Sequence, residues 1–389
     1  MKISIILGRG VEGCGVTKYT AELEWWLQEN KHFPIIYADK SKKWSRNDVH
    51  GLINLVHVNF GKDEFEEVYE GCKSSDLIIF NSLPSVNHNK KSQDGFSKLL
   101  DLYVRKVLIQ HDHNKSSLRR NALLEESFQK SDVLFAHSTT GDFADIVNTP
   151  NLFDLTQRTI NLMQPGINFE WYRDNYWKPI WSQDHKHHKW IGRTVSWKGY
   201  DLMMKFHDEL MKIDHLTTFE GIDRSPAYMD FKSKYKFYDE LKSNVDDIDL
   251  DDRYGKVASV FGQYINIELL ERMSLCTYGY QLSKLKPKYI AHSLEFTHLE
   301  PVAVGAIPVF RKEYGDVCIH RHYDKPLTEL DSGTIWLTDN NMDECISTIK
   351  ELSNNESMRN EYRELAYKCY SWYDSKNVFG DMFNIIDQQ

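Results

Sequence analysis

The residues whose types and spacing could do chemistry are Arg193 and Lys198 and, about one hundred positions on, Glu295 and Glu300. The first two lie in Ile191-Gly192-Arg193-Thr194-Val195-Ser196-Trp197-Lys198-Gly199, an apolar strand end followed by a glycine that opens a helical pattern. A guanidinium donates two parallel hydrogen bonds, an ammonium acts as a point charge, and the free N–H groups of a helix start add partial positive charge. Together they suit a diphosphate. The glutamates lie in Leu294-Glu295-Phe296-Thr297-His298-Leu299-Glu300, ahead of the apolar Gly305-Ala306-Ile307-Pro308-Val309-Phe310. A diphosphate clamp followed by a carboxylate before a G-x-P-V strand is the pattern of a nucleotide-sugar site. Each half alone has an ordinary explanation, a basic strand–helix junction or a buried helix with its glutamates on the wet side. Their order and spacing in one chain make the pattern.

Three further groups deserve a chemical reading. Gly8, Gly10, Gly13 and Gly15 fall between a strand and a helix, where glycine permits tight turns and close approach of backbone to a phosphate. No G-K-[ST] follows, so this is not a P-loop, and a structural turn is an equal alternative. His111 and Asp112 end a strand pattern, and an acid beside a histidine there can take a proton from an attacking hydroxyl. The alternative is an aspartate capping the next helix. Arg105, Lys106, Lys115, Arg119 and Arg120 form a basic tract with a single acid, Asp112, among them. A solvated helix face is the ordinary reading of that tract, and composition alone favours it.

Composition narrows the class. A chain of 389 residues predicts two domains. The net charge of −9 argues against a generally basic nucleic-acid binder but allows a local basic groove. No apolar run approaches the ~18 residues that span a bilayer, and Lys2 to Leu7 begins directly as a strand with no leader pattern. The six cysteines make no C-x-x-C pair, which reads as reduced, buried thiols. His185, His187 and His188 have a metal-like look, but a solvated linker is the better reading, and no metal site is expected.

Strand patterns at Ile3–Leu7, Pro34–Ala38, Leu52–His57, Leu77–Asn81, Val104–Gln110 and Val133–His137 alternate with amphipathic segments such as Thr17–Glu29 and Phe96–Tyr103. That predicts a parallel sheet covered by helices. Residues 150–188 read as an irregular linker, and Asp246–Asp252 as an acidic loop. A second alternation runs through Lys189–Gly192, Leu216–Glu220, Tyr278–Leu282, Ile307–Phe310 and Thr334–Trp336, followed by helices at Glu344–Ser353, Ser357–Ser371 and Ser375–Ile386. The expected class is α/β, two Rossmann-like doubly wound domains facing a central cleft. The boundaries are 1–180, 181–372 and a final helix, 373–389, crossing back to the first domain.

Several strings carry a family resemblance: Arg9-Gly10-Val11-Glu12-Gly13-Cys14-Gly15-Val16-Thr17-Lys18, Gln110-His111-Asp112-His113, Ser117-Leu118-Arg119-Arg120-Asn121, the clamp, Gly279-Tyr280-Gln281-Leu282-Ser283-Lys284-Leu285, and Leu294 to Glu300. With them the chain resembles the T-even bacteriophage DNA α-glucosyltransferases, of GT-B fold, over nearly its whole length. The resemblance implies a retaining enzyme that moves a sugar, glucose by default, from a UDP-sugar to the hydroxymethyl group of 5-hydroxymethylcytosine in double-stranded DNA. It implies Gly13, Gly15, Val16, Arg193, Lys198, Glu295 and Glu300 on the donor, with Glu300 on the ribose hydroxyls. It places Asp112 and His111 in catalysis, and Arg105, Lys115, Arg119 and Arg120 on DNA, with the target base extruded from the stack. Glu300 matches the second acid of the E-x(7)-E pattern of retaining GT-B enzymes, whereas His292 stands where the first acid would be. That departure leaves open the donor sugar, with arabinose as the alternative.

Because the cationic pair does the work a divalent metal does elsewhere, no obligatory metal is expected, only a stimulatory one. A monomer in the cytoplasm of an infected bacterial host, protecting phage DNA from restriction, completes the expectation. Two other readings compete. A GT-B transferase acting on lipid or polysaccharide would show a basic amphipathic docking helix, and none is clear. A catalytically dead DNA-binding scaffold would have no need of Arg193, Lys198 and Glu300.

The basic tract yields a prediction about DNA. Each phosphate contact steepens the fall of affinity with salt by about 0.9 log–log units. Replacing Arg119 and Arg120 together by Ala should weaken DNA binding in a salt titration and flatten the slope by up to about two units. An unchanged slope would mean that they pair with Glu125 and Glu126 instead, leaving Lys186–Lys189 as the next DNA-facing segment.

Overall fold

Runs of apolar residues with both faces buried make the strands. In β1 (Lys2–Leu7), Ile3, Ile5, Ile6 and Leu7 are all fully buried. That is the mark of a parallel strand covered by helices on both sides. The computed structural model describes residues 1–8, 15–39, 52–60, 65–82, 90–111, 122–136, 159–177, 185–191, 198–220, 273–284 and 294–389. The Asp246–Asp252 loop lies outside them.

After β1 come α1 (Gly15–Glu29), β2 (Phe33–Asp39), β3 (Leu55–Val58), α2 (Phe65–Lys73), β4 (Leu77–Ser82), α3 (Lys90–Leu100) and β5 (Arg105–Gln110). Then follow α4 (Ala122–Lys130), β6 (Val133–Ala136), β7 (Ile160–Leu162) and α5 (Phe169–Tyr176). The second half has β8 (His187–Ile191), α6 (Tyr200–Met211), β9 (Leu216–Glu220), β10 (Tyr278–Gln281), α7 (Phe296–Ala303), β11 (Ile307–Arg311), the short α8 (Lys312–Gly315) and β12 (Ile335–Leu337). It closes with α9 (Met342–Asn354), α10 (Glu356–Tyr370) and α11 (Ser375–Gln388).

The strands form two sheets, β3-β2-β1-β4-β5-β6-β7 and β12-β11-β10-β8-β9, and every strand pair is parallel. Strand order reverses between β1 and β4 in the first sheet and between β8 and β10 in the second. At such a reversal the connections leave toward opposite sides, and a crevice opens at the carboxyl ends of the two strands.

Two passages of chain join the halves side by side. Ile167 bridges to Asp374, Ser375 N–H donates to the Ile167 carbonyl at 2.9 Å, and Asp374 Oδ2 accepts from Phe169 N–H at 2.9 Å. Glu22 of α1 ties both passages. Its carboxylate accepts from Asn168 N–H, Ser375 Oγ and Tyr172 OH at 3.2, 3.0 and 3.1 Å. Burial pushes the Glu22 carboxyl above the usual carboxylate range, and Lys18 and these donors oppose the shift. Beyond the crossing, α11 packs on α1. Phe383 meets Trp26 with ring centroids at 4.9 Å, and Phe379 meets Tyr19 at 5.3 Å.

The stretch read as a linker is partly regular. It holds β7 and α5, and α5 buries Phe169, Tyr172 and Tyr176 among its charged residues. The histidine cluster is likewise not a solvated segment, because β8 starts at His187. His188 is fully buried, 2.6 Å from Tyr280 OH and 2.8 Å from His215 Nδ1, with its ring stacked on Tyr278. Neighbouring Lys189 is 2% exposed and Lys186 donates to Asp214 at 2.7 Å, so this segment is no free basic surface.

Burial, with His215 nearby, holds His188 well below the usual histidine range. Its folded value lies below the unfolded one of about 6.5. The stability it contributes is therefore complete above about pH 6.5. It is lost as pH falls, because the unfolded chain binds a proton that the folded chain excludes. Urea unfolding at pH 7.0 and 5.5 should show a loss of about 1 kcal/mol at the lower pH from this residue. The loss should shrink in His188→Gln, and an equal loss in that variant would remove His188 as its source.

Candidate active site

At the second sheet's reversal, β10 ends in Gln281, which is 2% exposed and spans two elements. Its Oε1 accepts from Ser283 N–H and Oγ, both at 2.9 Å, which fixes the amide orientation. Its Nε2 then donates to Glu295 Oε2 at 2.6 Å and to Thr297 Oγ1. Glu295 is the N-cap residue of α7, and its backbone N–H donates to His298 Nδ1 at 3.1 Å. The same Glu295 Oε2 receives Lys198 Nζ at 2.6 Å. Lys198 thus stands at the carboxyl ends of β8 and β10, held by a carboxylate that a second donor steadies.

Two glycines allow this closeness. Gly199 has φ +77°, and a Cβ there would sit 1.8 Å from the Leu282 carbonyl oxygen. Only glycine tolerates both the left-handed backbone and the contact, so Lys198 lies hard against the end of β10. A Cβ on Gly279 would lie 2.5 Å from Pro301, so α7 rests directly on β10. Glu300, next to Pro301, is thereby turned toward the first half of the molecule.

There it meets Lys18. Lys18 Nζ and Glu300 Oε1 form an ion pair whose side chains are 4% and 5% exposed. The ammonium lies 5.4 Å from the ring centroids of both Tyr172 and Phe296. Gly15 faces Phe296 as well, since a Cβ on it would be 3.7 Å from that ring. The start of α1, with Gly15 and Val16, therefore adjoins the start of α7.

At the first sheet's reversal, Asn81 in β4 organises the acceptor side. Its Nδ2 donates to Thr20 Oγ1 at 2.6 Å and to the Val16 carbonyl at 3.4 Å. With the amide so oriented, Oδ1 is the acceptor for His111 Nε2 at 2.8 Å, and the ring proton sits on Nε2. Nδ1 is then the ring's other functional nitrogen. Tyr19 packs edge-on to the same ring at 5.2 Å.

Of the residues expected from sequence, the structure brings Lys198 and Glu295 together, sets Glu300 beside Lys18, and puts Gly15, Val16 and His111 at strand or helix ends facing the crevice. It does not bring Arg105 there. Arg105 opens β5, the full length of the strand from His111, and its Nη2 donates to the Ile386 carbonyl of α11. Gly13, Asp112, Lys115, Arg119, Arg120 and Arg193 lie outside the described residues. Among the described residues, no group of three or more His, Cys, Asp or Glu could hold a metal ion, and no helix is long and apolar enough to cross a membrane. Gln281, Asn81 and Lys18 were given no role by sequence. Asn81 and Gln281 are polar residues at strand ends, which is the one signal that could have found them, and Lys18 lies in the first turn of α1.

Comparison with known proteins matches residues 14–357 to the family described as DNA alpha-glucosyltransferase. The DNA alpha-glucosyltransferase of Enterobacteria phage T4 is 37% identical over 402 residues, which cover 99% of this chain and 100% of that protein. An alpha-glucosyltransferase solved in complex with UDP and a 13-mer DNA containing a HMU base is 35% identical, with TM-score 0.84 over 100% of this chain and 99% of that one. Another, in complex with UDP-glucose and DNA containing an abasic site, is 36% identical, with TM-score 0.83 over 99% of each chain.

The expectation that Lys198 meets a diphosphate can be tested directly. A charge-assisted contact to a diphosphate is worth ~1.5–3 kcal/mol. Lys198→Ala should therefore lower catalytic efficiency roughly ten- to hundredfold, with a matching loss of UDP affinity by calorimetry. A folded variant with unchanged turnover and affinity would remove Lys198 from the site.

Proposed function

The chain belongs to the DNA α-glucosyltransferase family, and from that premise we propose that it transfers glucose from UDP-glucose to the hydroxymethyl group of 5-hydroxymethylcytosine in double-stranded DNA. It is a glycosyltransferase of the GT-B arrangement, with two Rossmann-like sheets. The observation that carries the reading is the Lys18–Glu300 contact, which joins α1 to α7 between a cation–carboxylate set at the second sheet's reversal, Lys198, Glu295 and Gln281, and a histidine–amide pair at the first, His111 and Asn81.

The donor occupies the second half. Lys198 and Arg193 hold the diphosphate and stabilise the charge that builds on it as the bond to C1 breaks. Glu300 accepts from the ribose hydroxyls, Glu295 lies on the sugar or diphosphate side, and the Gly13, Gly15 and Val16 loop faces the phosphates. UDP-glucose is an α-anomer, so an α product means retention at C1. Two routes are compatible with retention. In the first, Asp112 attacks C1 as UDP leaves and forms a glycosyl ester; the hydroxymethyl oxygen then attacks C1, releases the Asp112 carboxylate and gives its proton to a phosphate oxygen of the departed UDP. In the second, that oxygen attacks C1 on the departing side, and its proton goes to a phosphate oxygen of UDP, with Asp112 as base or electrostatic aid. His111, held by Asn81 through Nε2, orients this corner.

A duplex hides the 5-hydroxymethyl group from a cleft, so the base leaves the stack to react. With a net charge of −9, the protein must grip DNA locally, and Lys115, Arg119 and Arg120 are the residues assigned to it. The reaction takes place on phage DNA in the host cytoplasm.

Mass spectrometry of nucleosides from hydroxymethylated DNA, after incubation with a panel of UDP-sugars, tests the reading. One added hexose from UDP-glucose is expected. One added pentose would move the donor to UDP-arabinose, and no addition would overturn the assignment. Asp112→Ala should abolish transfer while calorimetry shows UDP binding intact, and normal transfer by that variant would remove Asp112 from the chemistry.

A further inference from the structure

Nothing in the donor reading explains why a lysine of the first half is buried against Glu300. Lys18 and Glu300 are 3% and 4% exposed as whole residues. Replacing a buried ion pair by packed apolar side chains is often neutral or stabilising, so stability alone gives no reason for a charge pair here. The geometry gives one. Lys18 takes one oxygen of Glu300, Oε1. Among the described residues Oε2 makes no hydrogen bond, and it is not among the atoms sealed from solvent. A glutamate swings about three torsions, and this one is pinned by a single donor from the opposite half.

Lys18 is itself fixed. The Tyr172 and Phe296 rings flank its ammonium, and one turn along α1 Glu22 is tied to both interdomain passages through Asn168, Tyr172 and Ser375. The position of the ammonium is therefore set by α1 and the crossing, with Phe296 of α7 as one wall.

We propose that Lys18 is a positioning residue for the donor nucleotide: it holds Glu300 through Oε1 so that Oε2 is presented to the ribose hydroxyls. The inference rests on the ribose assignment of Glu300. It makes the ribose subsite a product of both halves, complete only when α1 and α7 are in contact.

Calorimetry with UDP and with 2′,3′-dideoxy-UDP separates positioning from a general structural role. Wild-type protein should prefer UDP by roughly tenfold or more, the worth of hydrogen bonds to a carboxylate. Glu300→Gln and Lys18→Met should each reduce the preference to within about threefold. Adding Lys18→Met to Glu300→Gln should change the UDP Kd by less than about twofold, because the two residues act as one unit. That last comparison stands even if Lys18→Met alone fails to fold, since the double variant leaves no unpaired buried charge. A Lys18→Met protein that keeps the wild-type preference, or additive effects in the double variant, would overturn the proposal. Wild-type protein that binds both nucleotides alike would overturn the ribose role of Glu300 and the proposal with it. Wild-type protein that binds neither would count against the UDP reading itself, and so against both.

Discussion

A lysine and a glutamate buried against each other between two domains set the terms for the rest of the molecule. Each charge taken from water carries a desolvation penalty of several kcal/mol, which their attraction offsets only in a closely held geometry. Removing one partner of such a pair typically costs ~3–5 kcal/mol. The surroundings of Lys18 and Glu300 meet that demand. Two aromatic rings flank the ammonium, and α7 is clamped to β10 by the Gly279–Pro301 contact. Once α1 and α7 are registered in this way, the starts of the two helices adjoin, and the two crevices at the strand reversals face each other.

The nucleotide side also carries its own charge balance. Lys198 is paired with Glu295. On the reading proposed above, an incoming diphosphate must compete with that carboxylate, yet it finds the ammonium already at the strand ends. The pair is partly exposed, at 18% and 30%, so solvent weakens the attraction and the exchange is cheap compared with breaking the Lys18 pair. One ion pair is placed to be rearranged by ligand and the other to resist rearrangement.

How much of this could be read from the chain depended on the kind of signal. The strands were legible because buried parallel strands leave continuous apolar runs, as in Ile3–Leu7 and Ile307–Phe310. Helix α5 was not, since its stripe of Phe169, Tyr172 and Tyr176 runs for only eight residues among charged neighbours and the exposed Trp171. His188 read as wet because its partners, Tyr280 and His215, lie 92 and 27 residues away. A polar group satisfied by distant partners cannot be told in sequence from one satisfied by water. Lys198, Glu295 and Glu300 were legible as a spaced set. Asn81 and Gln281 became visible only when the strand order put their ends at the two reversals. Arg105 lies at the end of β5 away from the crevice, a placement that its charge could not indicate.

The return of α11 to α1 bears on how this protein is made. Tyr19 and Met382 touch although they are 363 residues apart. At about 5–20 residues per second, a ribosome needs roughly 20–70 s to travel between them. Throughout that time Tyr19 and Trp26 lack the cover that Phe379 and Phe383 supply in the finished protein. The first-made domain is therefore completed only once α11 has been made. A stop codon in place of Tyr370 would spare every candidate catalytic residue and still leave an apolar face open to chaperones and proteases.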